Sequence, residues 1–156
     1  MNSSSPVLIG LGTNLGCREK NLEQARTELG RFCEEVESSS IIETEPVGIS
    51  SENFFLNQVV RLHCPSFENP AEALERLMEL ELKLGRDREK NAPDRLIDLD
   101  LLYFGRQISG SNPILPHPRL HQRFFVLKPL VEIAPNFRHP VFGKTQKQLL
   151  SELKNN

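Results

Sequence analysis

An α+β sandwich with a mainly antiparallel sheet and helices packed on it is the fold class that the sequence predicts. Short apolar and β-branched runs intermix with helical periods of three and four, in the order strand, helix, strand, strand, helix, strand. Neither a Gly-rich phosphate loop nor a strict β-α-β-α-β rhythm imposes a parallel sheet. The length of 156 residues, with 38% apolar and 26% charged residues, predicts one domain over 1–156, large enough to form a core without a disulfide or a structural metal.

The polar Asn2–Ser5 stretch reads as a frayed tail. Val7–Leu11 is a short apolar strand, and the turn Gly12-Thr13-Asn14 leads into a helix whose Leu22, Ala25, Leu29 and Phe32 recur at helical spacing. Val36–Glu43 and Phe54–Leu62 read as two strands joined by the polar loop Thr44–Asn53. The next helix has the fullest set of end signals: Asn69 as cap, Pro70 at the first position, Glu72 three residues after the cap, and Gly85 just past Leu84. Its inward face is expected to carry Leu74, Leu77, Met78 and Leu84.

Arg86–Arg95 carries three Arg, one Lys, two Asp, one Glu and a Pro, a mixture that cannot bury itself and reads as a mobile charged loop. Leu96–Phe104 is a strand. Asn112–Pro118 holds three prolines and reads as irregular, Pro129–Ala134 as a short helix with Pro at its start. A last helix begins at Thr145, where Thr145 and Gln148 have capping-box spacing ahead of Leu149, Leu150 and Leu153. This order of elements fits the ferredoxin-like arrangement.

Charge and cysteine usage narrow the function classes. Nineteen basic against 21 acidic residues, a formal net charge of −2, give no global field for nucleic acid. Cys17, Cys33 and Cys64 are odd in number with no pairing motif, so all three are expected as free thiols in a reducing compartment. No basic n-region or long apolar stretch marks the start, which predicts a cytoplasmic protein without a membrane span.

Four groups of residues can carry chemistry. In the strand Leu96–Phe104, alternation puts Asp98 and Asp100 on one face and Ile97, Leu99, Leu101 and Tyr103 on the other. Such a pair is either the wet face of a strand or a set of oxygen ligands for Mg²⁺, because adjacent carboxylates repel unless a cation lies between them. Arg86, Arg88, Lys90 and Arg95 flank it, as a salt-bridged surface or as a clamp for polyphosphate oxygens. Pro116–Phe125 holds His117, His121, Arg119 and Arg123 between prolines and aromatics, either a solvated loop or part of a site. Zinc is disfavoured there, since no Cys or further His has suitable spacing. In Phe54-Phe55-Leu56-Asn57, Phe55 and Asn57 share a face: a core ring with a structural amide, or a platform that stacks and hydrogen-bonds a flat heterocycle. His63 and His139 are isolated and receive no role.

Taken together, the chain resembles the 6-hydroxymethyl-7,8-dihydropterin pyrophosphokinase family. The resemblance runs from Gly10-Leu11-Gly12-Thr13-Asn14-Leu15-Gly16 through Thr44-Glu45-Pro46-Val47-Gly48, Phe55-Leu56-Asn57 and Glu81–Arg86 to Glu132-Ile133-Ala134-Pro135. It is most specific in Arg95-Leu96-Ile97-Asp98-Leu99-Asp100-Leu101-Leu102 and Leu115-Pro116-His117-Pro118-Arg119. It implies Mg²⁺-dependent transfer of pyrophosphate from ATP to a pterin alcohol, with AMP leaving, by a monomer that binds small molecules. Asp98 and Asp100 match ligands of two Mg²⁺ ions. Arg86, Arg88, Arg95, Arg123 and His117 match triphosphate positions, with Arg86 and Arg95 counted with the aspartates as catalytic. Glu81 and Leu101 match the nucleoside site, and Thr44, Val47, Phe55, Asn57 and Phe125 the pterin site. The run Ala92-Pro93-Asp94-Arg95 departs from the Gly-Pro-Arg of many relatives by an added acidic residue, and the chain has no Trp. Two rivals from other classes are a metal-dependent phosphohydrolase or nucleotidyl transferase using the same aspartates, and a non-catalytic RNA-binding module whose aromatic sheet stacks bases.

Overall fold

The structure, a computed structural model, describes residues 6–46, 51–86 and 93–154. Strand β1 (Val7–Thr13) is central. After it come α1 (Arg18–Leu29), β2 (Glu34–Ser38), β3 (Ile42–Thr44), β4 (Phe55–His63), α2 (Pro70–Lys83) and β5 (Asp98–Phe104). β1 pairs antiparallel with β4 on one side and β5 on the other, while β2 and β3 pair with successive parts of β4, giving the order β2-β4-β1-β5. This is the β-α-β-β-α-β sandwich expected from the order of elements. A small hairpin of β6 (Ser109–Gly110) and β7 (Ile114–Leu115) precedes a 3-10 turn at Leu120–Gln122, then α3 (Phe124–Ile133) and α4 (Gln146–Lys154).

The sheet separates two apolar layers. Val7, Ile9 and Leu11 of β1 pack with Leu22 and Leu29 of α1 and with Leu77 and Leu80 of α2. On the other face Leu8, Val59 and Leu102 pack against Leu127 and Leu130 of α3 and Leu150 of α4. The expected caps form. Asn69 Oδ1 accepts from the Glu72 N–H at 3.0 Å, and Thr145 and Gln148 exchange reciprocal bonds of 2.8 and 3.1 Å. Each such cap contributes about 1 kcal/mol.

Several expectations are corrected. The strand expected over Val36–Glu43 is divided: at Ser39 the side-chain hydroxyl accepts from Val59 N–H (2.9 Å), taking over a ladder position, and pairing resumes at β3. Met78 is 49% exposed, because the buried period of α2 runs through Ala73, Leu77, Leu80 and Glu81 instead. Tyr103 is not on the face of Leu99 and Leu101. A register shift between Leu8 and Ile9 bulges β5, so that Leu102 and Tyr103 both join the α3/α4 layer. Helix α3 begins at Phe124 and carries Pro129 in its interior, since Val126, Leu127 and Leu130 continue the buried period through it. Within the proline-rich stretch the Asn112–Pro113 and Leu115–Pro116 peptides are cis, and β7 forms between them.

Cys33 and Cys64 are joined in a disulfide, with Cα atoms 4.5 Å apart, and of the three thiols expected free Cys17 alone is so. The two half-cystines flank the facing pair Glu34 and His63, so strand register brings them together where sequence spacing gives no sign.

Candidate active site

The register of three strands builds the floor of the site. Asn57 on β4 faces Gly12 on β1, which faces Asp98 on β5, and in the next row Val59, Gly10 and Asp100 align in the same way. These positions point away from α1 and α2. With strands spaced about 4.8 Å apart, Asn57 and Asp98 stand about 10 Å from each other across a strip that carries no side chains. The strip is the base of a cavity of about 720 Å³ whose walls include Thr44, Phe55, Arg95, Arg119, Arg123 and Phe125.

One end combines aromatic rings with a buried amide. Thr44 pairs with Phe55 across β3 and β4, and the buried Asn57 amide donates to Thr44 Oγ1 at 2.7 Å, fixing its orientation. A Cβ on Gly12 would sit 3.4 Å from Asn57 Oδ1 and 3.7 Å from Phe55 Cδ1, so glycine leaves both groups uncovered. Phe125 enters from the start of α3 with the Arg123 guanidinium over its ring at 5.5 Å.

The other end is ionic. Arg86 Nη1 donates to Asp98 Oδ1 at 2.7 Å and lies 3.0 Å from Glu81 Oε2. Glu81, buried on α2, also accepts from the Leu99 N–H on the outer edge of β5 at 2.7 Å, so one carboxylate pins the strand and holds the arginine. Arg123 Nη1 approaches Asp100 Oδ2 at 3.9 Å. Burial, followed by the neighbouring Asp98 charge, pushes the Asp100 carboxyl up to about 7, against the opposing pull of Arg123. Burial, reinforced by Arg123, lowers His117 to about 4. His117 is therefore neutral near pH 7. Its Nδ1 accepts from the Arg119 N–H at 3.2 Å, which leaves the proton on Nε2, a donor suited to a phosphate oxygen.

Of the residues singled out in the sequence, Thr44, Phe55, Asn57, Arg95, Asp98, Asp100, Arg123 and Phe125 line this cavity. Arg86 joins them through Asp98, and Glu81 through Arg86. The Leu101 side chain is in the opposite apolar layer, 5% exposed, so only its backbone on β5 faces the site's edge. Val47 and Arg88, with Lys90 and most of the charged loop, lie outside the described residues. Arg119 and Gln122 also line the cavity without having been assigned a role. Arg119 had a signal, its place beside His117 and Pro118 in the Pro116–Phe125 segment, whereas Gln122 had none.

The open sheet face of this ferredoxin-like sandwich joins an aromatic and amide pocket to paired carboxylates flanked by Arg86 and Arg123, an arrangement that suits a small molecule with a flat end and an anionic end. Residues 8–135 match the family described as 7,8-dihydro-6-hydroxymethylpterin-pyrophosphokinase (HPPK), and the chain belongs to that family of enzymes. It is 43% identical over 129 residues to the 2-amino-4-hydroxy-6-hydroxymethyldihydropteridine pyrophosphokinase of Bacillus subtilis, covering 81% of this chain and 76% of that one. With the Synechocystis protein of the same description it shares 37% over 150 residues, 94% of this chain and 75% of that one. Among solved structures, an HPPK-DHPS in complex with substrates superposes with a TM-score of 0.79 at 15% identity, over 97% of this chain and 43% of that one. The Plasmodium falciparum HPPK-DHPS with pteroate gives 0.77 at 12% identity, over 97% and 45%. The chain thus spans less than half of these solved proteins, and the likeness to them is one of fold.

Proposed function

We propose that this protein transfers the pyrophosphoryl group of ATP to the hydroxymethyl group of 6-hydroxymethyl-7,8-dihydropterin in folate biosynthesis, releasing AMP. The observation that carries this reading is the row Asn57–Gly12–Asp98 across β4, β1 and β5, with Phe55 beside Asn57 at one end and Asp100 beside Asp98 at the other. A pterin stacked between Phe55 and Phe125, with its polar edge on Asn57 and on the backbone near Thr44 and Val47, would direct its hydroxymethyl arm along the glycine strip. The alcohol oxygen then attacks the β-phosphorus, a new P–O bond forms, and the bond from that phosphorus to the AMP oxygen breaks. Chemistry of this kind depends on in-line placement and on spreading of negative charge more than on a strong base, so no side chain is assigned as general base. Arg86, Arg88, Arg95 and Arg123 neutralise phosphate oxygens, and neutral His117 donates a hydrogen bond. Glu81 and the Leu101 backbone flank the nucleoside.

The donor set fits Mg²⁺. Two adjacent carboxylates, one with its affinity for protons raised by burial and by the other, form a site short of positive charge. Among the described residues no third His, Cys, Asp or Glu gathers with them, which suits an ion that takes its remaining ligands from phosphate and water. Asp98 and Asp100 would hold two such ions, which supply neutralisation of the triphosphate when bound.

Incubation with Mg²⁺, ATP and the pterin alcohol tests the reading by the products. AMP with pterin diphosphate supports it; ADP or free phosphate indicates the phosphohydrolase class. The net charge of −2 gives no support to the RNA-binding alternative. We further infer a monomer that acts in the cytoplasm, as one domain over 1–156. Among the described residues no helix is long and apolar enough to cross a membrane.

A further inference from the structure

Asp94 is the acidic residue by which this chain departs from the Gly-Pro-Arg pattern, and the structure gives its carboxylate a specific place. Asp94 Oδ1 accepts from Asn14 Nδ2 at 3.0 Å and from the Ser51 hydroxyl. Asn14, 3% exposed in the turn after β1, is itself clamped to the next residue of the same segment. Its N–H donates to the Arg95 carbonyl at 2.9 Å and its Oδ1 accepts from the Arg95 N–H at 2.6 Å. Ser51 Oγ in turn accepts from the Asn53 N–H at 3.0 Å, just before Phe55 begins β4. One carboxylate thus joins three segments that are distant in sequence. While Asp94 is turned to Asn14 and Ser51, the adjacent Arg95 lines the cavity.

We propose that Asp94 is a positioning residue, a latch that ties the Ser51–Asn53 segment to the Asn14–Arg95 unit and so sets the Arg95 side chain and the approach to Phe55 together. This rests on the proposed pyrophosphokinase reading, which assigns the Arg95 side to ATP and the Phe55 side to the pterin. Acceptor geometry, not charge, is the active property: Asp94→Asn keeps an oxygen for both donors, whereas Asp94→Ala keeps none.

The test compares wild type, Asp94→Ala, Asp94→Asn and Ser51→Ala. Losing both bonds in Asp94→Ala raises the KM of ATP and of the pterin about tenfold each. Asp94→Asn stays within about twofold of wild type. Ser51→Ala, which leaves Asp94 on Asn14, raises the pterin KM alone. Hydrogen exchange without substrates reads the latch directly: amides of 51–55 exchange faster in Asp94→Ala and Ser51→Ala, and at the wild-type rate in Asp94→Asn. The proposal is overturned if Asp94→Asn is as impaired as Asp94→Ala, or if Ser51→Ala leaves both the exchange and the pterin KM unchanged. Should Asp94→Ala fail to fold, Ser51→Ala and Asp94→Asn decide. A wild-type protein that forms no AMP overturns the pyrophosphokinase reading, and the exchange measurement still decides the latch.

Discussion

Asp100→Asn separates what the site costs the fold from what it gives the reaction. In the metal-free protein burial and the Asp98 charge place the Asp100 carboxyl at about 7, whereas a free aspartate titrates at about 3.9. Between those values the folded chain keeps a proton that the unfolded chain has released. Stability therefore falls as pH rises from about 4 to about 7 and stays low above that. A shift of about 3 units corresponds to about 4 kcal/mol. The side chain is 32% exposed, and solvent screening reduces the expectation to about 2 kcal/mol. For a chain of this size that is about 6 °C in Tm. Asparagine is neutral throughout. About two thirds of that titration lies between pH 5 and pH 8, so thermal unfolding of both proteins in EDTA should show the variant gaining about 4 °C on wild type between the two conditions, and turnover measured with Mg²⁺ should be lost in the variant. Added Mg²⁺ should raise the wild-type Tm at pH 8 and leave the variant nearly unchanged. An equal Tm difference at both pH values would refute the electrostatic argument, and near-normal turnover in the variant would refute the placement of the metal.

Other perturbations probe other parts of the same structure. Asn57→Ala should raise the pterin KM by about 10- to 100-fold, the loss of a buried polar contact, with the ATP KM little changed; an effect confined to ATP would contradict its place at the pterin end. Gly12→Ala puts a methyl group at ordinary contact distance from Asn57 and Phe55, so the Tm should hold while the pterin KM rises about tenfold. An unchanged KM would mean that the ring does not rest on that strip. The Cys33–Cys64 bond closes a loop with a sequence separation of 31 that includes β2, β3 and all of β4, and its closure contributes about 3.5 kcal/mol. Reduction, or paired Cys33→Ser and Cys64→Ser changes, should lower Tm by about 10 °C. No change in Tm on adding dithiothreitol would show that the bond carries no such load.

What the sequence made legible was whatever depends on near neighbours along the chain. The ends of α2 are written within a few residues of each boundary: the Asn69 amide caps an N–H three residues away, and the helix ends at Leu84 just before Gly85. The carboxylate pair was equally readable, since two residues of one strand separated by one must share a face until a bulge intervenes. Less could be read where a contact depends on register between strands. Cys33 and Cys64 meet because β2 and β4 align Glu34 with His63, a relation between positions about 30 residues apart that no local pattern encodes. Met78 was misplaced for a related reason: Leu74, Leu77, Met78 and Leu84 also fit a helical period, and only the arrival of β5 beside Glu81 selects the face that is buried.

The bulge in β5 is the instructive failure, because the site depends on it. Unbroken alternation from Asp98 would keep Leu102 on the side of α3 and α4 but send Tyr103 back among the α1/α2 side chains. With the extra residue, Asp98 and Asp100 keep the open half of the sheet while Leu102 and Tyr103 both enter the layer beneath α3 and α4. There the Tyr103 hydroxyl accepts from Gln146 Nε2 at 2.8 Å, and its ring meets Phe137 edge-on at 4.8 Å. α4 is thereby docked against α3, whose first turn carries Phe125, preceded by Arg123, into the cavity. A single strand thus supplies the ionic end of the site and, through the irregularity that pattern reading passes over, the anchor for the helices that wall the other end.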